Sequence, residues 1–310
     1  MDSTERLQKL NNILIEKMLK STYALNFIFP YKQYLMFIRK LYKTLITILI
    51  FSFSVITNKV LSQPIDTLVD VGTHKLHFNI WPGKGTPILF EAGNGDDASV
   101  WNMIPSVIHQ KTGTTIITYD RAGLGKSEID TLNNSFQNEV RDLEIALTKL
   151  GYFKSLLIVC HSFGAYYSSL FTYNNLKKVK AVLCIDIATP CFFTKEWSED
   201  FIKSLKPEDW QMIRQYKIGL YYVLKEFYQI ADFMGDKFFS SKTPVTMIMA
   251  ENIQSMIKSE EKEKWIACCR QFGRMPNHSF KIARNADHKV WLTNSEMVIN
   301  EVIKLYKKFR

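Results

Sequence analysis

One serine in this sequence has the surroundings of a nucleophile. It lies in the pentapeptide Cys-His-Ser-Phe-Gly at residues 160–164, directly after the apolar run 155–159. A buried strand that stops at a serine, with a glycine two residues further on, forces a sharp turn into a helix and lifts the Ser162 hydroxyl out of the sheet. The residue types and their spacing therefore predict an exposed, nucleophilic serine.

A serine hydroxyl is a weak nucleophile at neutral pH, and it needs an imidazole within hydrogen-bond reach to accept its proton. His288 is the candidate base, because it follows the last predicted strand, at about 279–283, and precedes a final helical segment at 295–308. His74 and His77 lie in the early hairpin, and His109 lies in a peripheral helix. His161 is beside the serine but directed away from it, and His278 lies about ten residues too early.

A glycine-rich turn upstream has the composition of an oxyanion hole. The apolar run 88–90 opens into Glu-Ala-Gly-Asn-Gly at residues 91–95. Glycines in such a turn allow backbone N–H groups to approach a substrate closely. The predicted donors are the backbone N–H groups of Asn94, in this turn, and of Phe163, the residue after the serine.

Apolar runs that alternate with helical segments must position these residues. The runs are typical of strands buried on both faces, and they lie at 87–90, 115–119, 156–160, 181–185 and 245–249. Helical patterns intervene at about 100–110, 136–150 and 165–173. This alternation favours a mostly parallel sheet covered on both sides. Residues 65–71 and 75–81 flank a short turn and are predicted to form an antiparallel hairpin.

From about Ile65 to the C-terminus, the order of these features resembles the α/β-hydrolase superfamily. The shared features are the strand with its glycine turn, the Asp-Arg-x-Gly-x-Gly-x-Ser loop at 120–127, the serine elbow and the late histidine. The resemblance implies an α/β-hydrolase fold over residues 64–310, with a mostly parallel central sheet flanked by helices and His288 as the catalytic base. Asp120 and Arg121 are expected to tie their loop to neighbouring backbone rather than to react.

Two carboxylates are candidates for the acid that orients the imidazole, a role that requires a place at a strand end beside His288. Most members of the superfamily carry this acid shortly after the strand that corresponds to 245–249, which nominates Glu251. Glu251 follows that strand more closely than the usual pattern. Other members, including some haloalkane dehalogenases and certain lipases, carry the acid at the end of the preceding strand, where Asp186 lies. Asp186 is favoured, and Glu251 remains the alternative.

A long insertion separates the strands that end at Asp186 and begin at Val245. The resemblance implies that residues 188–243 form a helical cap over the active site. The segment is rich in aromatic residues, most of which are expected to pack within the cap. Because a cap faces the pocket on one side, some of them are expected to form an apolar wall suited to a hydrophobic acyl group.

The features together predict a serine hydrolase that cleaves a small ester, amide or related acyl substrate through an acyl-enzyme. The spacing from Asn94 to Trp101 is similar to that in haloalkane dehalogenases, but those enzymes use an aspartate nucleophile where this chain has Ser162. One alternative is a peptidase that resembles proline iminopeptidases, with Glu196 or Glu226 receiving a free amino terminus. The other is a hydrolase-fold protein that binds a small hydrophobic ligand with little turnover.

Residues 1–63 are predicted to be a leader, and they carry +6 of the chain's net charge of +10. Arg39, Lys40 and Lys43 precede an uncharged run at 44–58 whose apolar centre is shorter than the roughly 18 residues of a membrane span. Such proportions are typical of a secretory signal with cleavage after Ser62, which predicts a secreted or periplasmic protein. An uncleaved membrane anchor is the alternative.

The remaining composition excludes several classes. The rest of the chain is only weakly basic and has no basic-aromatic pattern, which argues against a nucleic-acid partner. The five cysteines, Cys160, Cys184, Cys191, Cys268 and Cys269, are odd in number and too sparse for a disulfide framework. Their spacing suggests no zinc site. We expect neither a metal nor a cofactor.

Overall fold

Within residues 63–310, eight strands form one sheet in the order β1-β2-β4-β3-β5-β6-β7-β8. The predicted hairpin, β1 (Ile65–Asp70) and β2 (Lys75–Trp81), is antiparallel, and β2 also pairs antiparallel with β4. All other neighbouring strands are parallel: β3 (Ile88–Glu91), β4 (Ile116–Tyr119), β5 (Leu156–His161), β6 (Val179–Ile185), β7 (Val245–Ala250) and β8 (His278–Ala283). The mostly parallel sheet expected from the apolar runs is confirmed.

Within residues 63–310, the helices follow the strands, as the sequence pattern predicts. They are α1 (Ile104–Thr112), α2 (Phe136–Lys149), α3 (Gly164–Asn174), α4 (Lys195–Ser204), α5 (Pro207–Tyr216), α6 (Ile218–Lys225), α7 (Phe227–Met234), α8 (Lys262–Gly273), α9 (Val290–Thr293) and α10 (Ser295–Phe309). Three short 3₁₀ segments lie at Ala98–Trp101, Gly235–Lys237 and Ser259–Glu261.

Two hydrophobic layers enclose the sheet. Along β5, the side chains of Leu156 and Ile158 belong to one layer, and those of Leu157 and Val159 to the other. This alternation is the two-residue period of a strand, and both sets are buried, because helices cover both faces. The first layer includes residues of α2, α3 and α8, and the second includes residues of α1 and α10.

The structure, a computed structural model, describes residues 16–17, 36–43 and 63–310. The chain divides into two units, 1–60 and 61–310, and in the first of them residues 36–43 are helical and exposed. The apolar run 44–58 and the cleavage point after Ser62, both predicted from the sequence, lie outside the described residues. Within the described ranges, no helix has the length and apolar character needed to cross a membrane.

A disulfide between Cys191 and Cys268 differs from the sequence expectation, which gave the cysteines no pairing. Cys191 begins the insertion after β6, and Cys268 lies in α8, after β7. The two residues are 77 positions apart in the sequence. They meet because β6 and β7 are adjacent parallel strands whose following segments lie on the same side of the sheet. Cys160, Cys184 and Cys269 are free and buried.

Candidate active site

Ser162 occupies a strained turn between β5 and α3. Its φ angle is 52°, in the left-handed region that a residue with a side chain seldom adopts. The N–H of Ser162 donates to the Ile185 carbonyl at 3.0 Å, which anchors the turn to β6. The turn requires glycine at position 164, because a Cβ on Gly164 would collide with the carbonyl oxygen of Ala92. The Ser162 side chain is thereby directed away from the sheet, where it is half-buried.

Asp186 and His288 form a direct pair at the same edge of the sheet. The Oδ2 of Asp186 lies 2.7 Å from Nδ1 of His288, and its Oδ1 accepts the N–H of Ala250 at 2.9 Å. Because a carboxylate only accepts, Nδ1 carries the proton in this bond and Nε2 is left to act as a base. Asp186 is almost fully buried, whereas the His288 side chain is 23% exposed.

Glu251, the alternative acid, has other partners. Its carboxylate accepts from the guanidinium of Arg284 and from the N–H of Asn285, the latter at 2.8 Å. These two contacts, the backbone N–H first, lower the pKa of Glu251 below its ordinary value. The structure therefore brings Asp186 to His288 and leaves Glu251 in an exposed ion pair with Arg284.

The glycine turn after β3 lies directly against the serine elbow. A Cβ on Gly93 would lie 3.3 Å from the Cβ of Ser162 and 2.8 Å from Nδ1 of His161, so that only glycine fits. Within residues 63–310, neither the N–H of Asn94 nor that of Phe163 donates to a backbone carbonyl. An N–H in the glycine turn and an N–H directly after the serine, both without a backbone acceptor, are the kind of donors that can bind an oxyanion.

His161 connects the elbow to the loop that carries His288. Its Nε2 donates to the backbone carbonyl of His288 at 3.0 Å, and the two imidazole rings lie 4.4 Å apart between centroids. Burial, assisted by the neighbouring His288, holds the pKa of His161 well below its usual value. Burial therefore favours the neutral form of His161.

A buried charged cluster lies beneath the glycine turn. The guanidinium of Arg121 donates to Glu91 Oε1 at 2.5 Å, to the Ala92 carbonyl at 2.7 Å and to the Gly93 carbonyl at 2.5 Å. Tyr119 donates its hydroxyl to the other oxygen of Glu91. Burial raises the pKa of Glu91, and Arg121 opposes that effect.

The sequence interpretation assigned Arg121 a structural role and did not single out Glu91. A signal was present: an acidic residue ends the buried run 88–90, and Arg121 follows the next strand of the chain. Because β3 and β4 are parallel neighbours, their carboxyl ends meet at one edge. Asp120 ties its loop to the backbone as expected, since it accepts the N–H groups of Ala98 and Lys126 at 2.7 and 2.8 Å.

The insertion contacts the turn and the elbow. Lys217 donates to the Gly95 carbonyl at 2.9 Å, and the N–H of Gly219 donates to the Gly123 carbonyl at 3.2 Å. The ring of Phe163 packs against two insertion rings, those of Phe193 at 5.5 Å and Phe227 at 5.0 Å between centroids. The residue that follows Ser162 is thus embedded in an aromatic cluster supplied by the insertion.

The acidic residues considered for a peptidase pocket have other positions. Glu226 accepts the N–H of Phe136 at 2.9 Å and so caps the start of α2. Glu196 is exposed in the first turn of α4. Neither is joined to Ser162 or His288 by a hydrogen bond. Across the described ranges, no group of three or more His, Cys, Asp or Glu side chains is arranged to hold a metal ion.

The chain belongs to the alpha/beta hydrolase family, whose sequence model matches residues 88–294. It is also similar to the uncharacterized protein YqjL of Bacillus subtilis (strain 168), at 33% identity over 105 residues. That alignment spans 34% of this chain and 41% of YqjL. The chain thus matches less than half the length of this relative, whose name indicates no function or substrate.

Solved structures share the fold at low sequence identity. The epoxide hydrolase VrEH1 from Vigna radiata has a TM-score of 0.61 and 16% identity, with 80% of this chain and 100% of that chain covered. A proline iminopeptidase from Mycobacterium smegmatis has a TM-score of 0.53 and 13% identity, with 79% and 98% covered. At such identities the likeness establishes the fold, and the function has to be argued from the site.

Proposed function

We propose that this protein is a serine hydrolase that cleaves a small, hydrophobic ester, amide or related acyl substrate through an acyl-enzyme. The observation that carries the proposal is the 2.7 Å bond between Asp186 and His288 at the same sheet edge as the strained Ser162. A serine on a left-handed turn and an imidazole oriented by a buried carboxylate have the roles of a catalytic triad.

In the proposed reaction, Ser162 Oγ attacks the substrate carbonyl while His288 Nε2 accepts its proton. The carbonyl π electrons move to oxygen, and the N–H groups of Asn94 and Phe163 stabilise the resulting oxyanion. His288 then donates the proton to the leaving group as the tetrahedral intermediate collapses. A water molecule, deprotonated by His288, then attacks the acyl-enzyme carbonyl. The second tetrahedral intermediate collapses, the bond to Ser162 Oγ breaks, and His288 returns the proton to Ser162 Oγ as the acid is released. Asp186 stabilises the imidazolium in both halves without taking its proton. No cofactor takes part.

The surroundings of the serine favour an apolar acyl group. Phe163 is buried and is packed against Phe193 and Phe227 of the insertion. Two nearby lysines are engaged within the protein, since Lys217 donates to the Gly95 carbonyl and Lys289 forms an ion pair with Asp96 at 3.0 Å. The aromatic side chains suit a hydrophobic acyl group.

Serine chemistry argues against displacement at a saturated carbon, as in the opening of an epoxide or the loss of a halide. Alkylation of Ser162 would produce an ether, which has no carbonyl for water to attack. Attack on an acyl carbon produces an ester, which the same His288 can hydrolyse. The peptidase alternative is less favoured, because Glu226 caps a helix and Glu196 is exposed.

The proposal is tested by a fluorophosphonate probe and a series of p-nitrophenyl esters of increasing chain length. We expect the wild type to be labelled and to hydrolyse at least one ester. Ser162→Ala should abolish labelling and lower turnover by about 10⁴-fold or more. Ser168→Ala, in the same helix that follows the elbow, is the matched control and should retain both. A wild type that is neither labelled nor active would favour the ligand-binding alternative, and an active Ser162→Ala variant would exclude the serine mechanism.

The same proposal includes export to an oxidising compartment. The basic residues before the run 44–58 support a secretory signal. The disulfide between Cys191 and Cys268 supports it independently, because disulfides persist mainly in secreted or periplasmic proteins. Mass spectrometry of the protein from its own host should find a mature terminus near Gln63 and the Cys191–Cys268 peptide pair oxidised. An intact leader in a membrane fraction would favour an anchor instead.

A further inference from the structure

We propose that Arg121 is a positioning residue of the oxyanion hole and that it acts through the peptide bond between Gly93 and Asn94. The inference rests on the proposed acyl-transfer function and extends it to a residue outside the Ser162, His288 and Asp186 set. It starts from one contact, the 2.5 Å bond from Arg121 Nη2 to the Gly93 carbonyl.

The Gly93 carbonyl and the Asn94 N–H belong to the same planar peptide group and point in opposite directions. A bond that fixes the carbonyl therefore also fixes the direction of the N–H. A cationic donor at the oxygen, moreover, polarises the amide and strengthens the N–H as a donor, as in other chains of hydrogen bonds. Arg121 thus orients and polarises the group that is proposed to bind the oxyanion.

A second hydrogen bond from Arg121 further restricts the peptide planes of the glycine turn. Arg121 Nη1 donates to the Ala92 carbonyl at 2.7 Å, so that the guanidinium holds two consecutive peptides of the turn. Gly164, at the start of α3, also lies against the Ala92 carbonyl, since a Cβ added to it would be 2.3 Å from that oxygen. The turn is therefore held between the guanidinium and the start of α3, with little freedom to rotate its peptide planes.

Arg121 is itself held in place inside the protein. Glu91 accepts from its Nη1 at 2.5 Å, and the ring of Tyr167 lies 4.7 Å from its Cζ. Arg121 and Glu91 are 4% and 1% exposed. A buried ion pair is a weak source of stability, because desolvation offsets its attraction and apolar residues of the same size often do as well. Its contribution here is a fixed direction for the guanidinium.

The arrangement requires arginine. A planar guanidinium can bind a carboxylate and two carbonyls at once, whereas a lysine ammonium is a compact point charge on a flexible stem. Arg121→Lys keeps the charge that Glu91 requires but cannot span both carbonyls. The double variant Glu91→Gln with Arg121→Met removes both charges together, which avoids leaving one charge buried alone.

The test compares a trifluoromethyl ketone with the alcohol of the same skeleton as inhibitors of p-nitrophenyl ester hydrolysis. Ser162 Oγ adds to the carbonyl carbon of the ketone, and His288 accepts the serine proton. The former carbonyl oxygen becomes an oxyanion in the hole. The alcohol fills the same pocket without forming an oxyanion. The ratio of the two inhibition constants therefore isolates the stabilisation of the oxyanion from substrate binding and from overall folding.

We expect both Arg121 variants to lower the preference for the ketone by about 10-fold to 100-fold, somewhat less than removal of a direct oxyanion donor. The kcat should fall by a similar factor, while KM and the affinity for the alcohol stay within about twofold. Tyr119→Phe is the control for stability, because it removes a bond to Glu91 and leaves both carbonyl bonds of Arg121. This variant should have a lower melting temperature and an unchanged ratio of the two inhibition constants.

The outcomes separate this inference from the proposed function. A wild type labelled by the fluorophosphonate at Ser162, with an unchanged inhibitor ratio in folded Arg121 variants, would overturn the role of Arg121 alone. Equal losses in the Arg121 variants and in Tyr119→Phe would also overturn it, because they would reflect only stability. A wild type that is not labelled would overturn the proposed function and this inference with it.

Discussion

In the proposed mechanism, the side of the site that carries the base and the side that carries the oxyanion donors each depend on a buried carboxylate, but they use it differently. On the base side, Asp186 contacts the imidazole of His288 directly. On the oxyanion side, Glu91 contacts Arg121, and Arg121 contacts the backbone of the turn. An imidazole that must exchange protons is oriented through one nitrogen, so that its other nitrogen is free to react. A backbone donor has a single N–H, which must stay free for the oxyanion. A hydrogen bond that fixes its direction is therefore made to the carbonyl oxygen of the same peptide.

The largest expected effect lies on the base side. Asp186→Asn keeps the shape of the side chain but presents an amide to His288, which favours the wrong imidazole tautomer. We expect kcat to fall by about 10³-fold to 10⁴-fold. Glu251→Gln is the matched variant, a carboxylate at the end of the neighbouring strand, and should retain most activity because it is paired with Arg284. Steady-state kinetics of both variants give the ranking, and the reverse order would make Glu251 the acid.

These two carboxylates also illustrate what the sequence could and could not predict. The apolar runs and the Cys-His-Ser-Phe-Gly pentapeptide predicted the parallel sheet and the position of the serine, because strand burial and turn geometry are local properties. The choice between Asp186 and Glu251 was not local. Both follow adjacent parallel strands and reach the same sheet edge, and only the three-dimensional structure gives the direction of each side chain.

The disulfide and the cluster around Arg121 were not predicted from the sequence, for a related reason. The distance along the chain between Cys191 and Cys268 carries no information about their distance in space. The pair of Glu91 and Arg121 depends on β3 and β4 being neighbours in the sheet, which apolar runs alone do not specify. The sequence assigned Arg121 a structural role, and its contact with the Gly93 carbonyl became visible only with the strand order.

A smaller effect on kcat is expected for His161, which lies between the loop of His288 and the glycine turn. His161 donates to the backbone carbonyl of His288, and its ring lies against the position of a Gly93 Cβ. His161→Leu removes the donor, leaves that carbonyl unpaired and should lower kcat by about 10-fold to 100-fold through displacement of His288. His161→Gln retains an N–H at a similar reach and should recover most of the loss.

The measurement for His161 is the pH dependence of kcat/KM in both variants, with folding checked by thermal melting. Since burial holds the pKa of His161 well below its usual value, an acidic limb of the wild-type profile should not arise from His161 and should persist in His161→Gln. Loss of that limb in a folded His161→Gln variant would mean that His161, and not His288, is the titrating base, which would reverse the assignment of the base side.

The smallest expected effect is on the free energy of unfolding and comes from Glu139, which lies near Arg121. Glu139, a second buried carboxylate near Arg121, has its pKa raised from 4.5 to about 8, chiefly by burial, which outweighs the charge of Arg121. The folded protein therefore binds a proton more tightly than the unfolded chain. The stabilisation is complete below about pH 4.5 and is lost as the pH rises through about 8, because the folded state must then hold a buried charge.

Glu139→Gln cannot ionise and should remove this pH dependence. Between pH 6 and pH 8.5 the wild type should lose on the order of 2–3 kcal/mol of unfolding free energy relative to Glu139→Gln, measured by chemical denaturation. Asp232→Asn, at an exposed position in α7, is the control and should follow the wild type at both pH values. If Glu139→Gln also followed the wild type, Glu139 would already be ionised at neutral pH. Arg121 would then balance two carboxylates, and less of its charge would be available to polarise the Gly93 peptide.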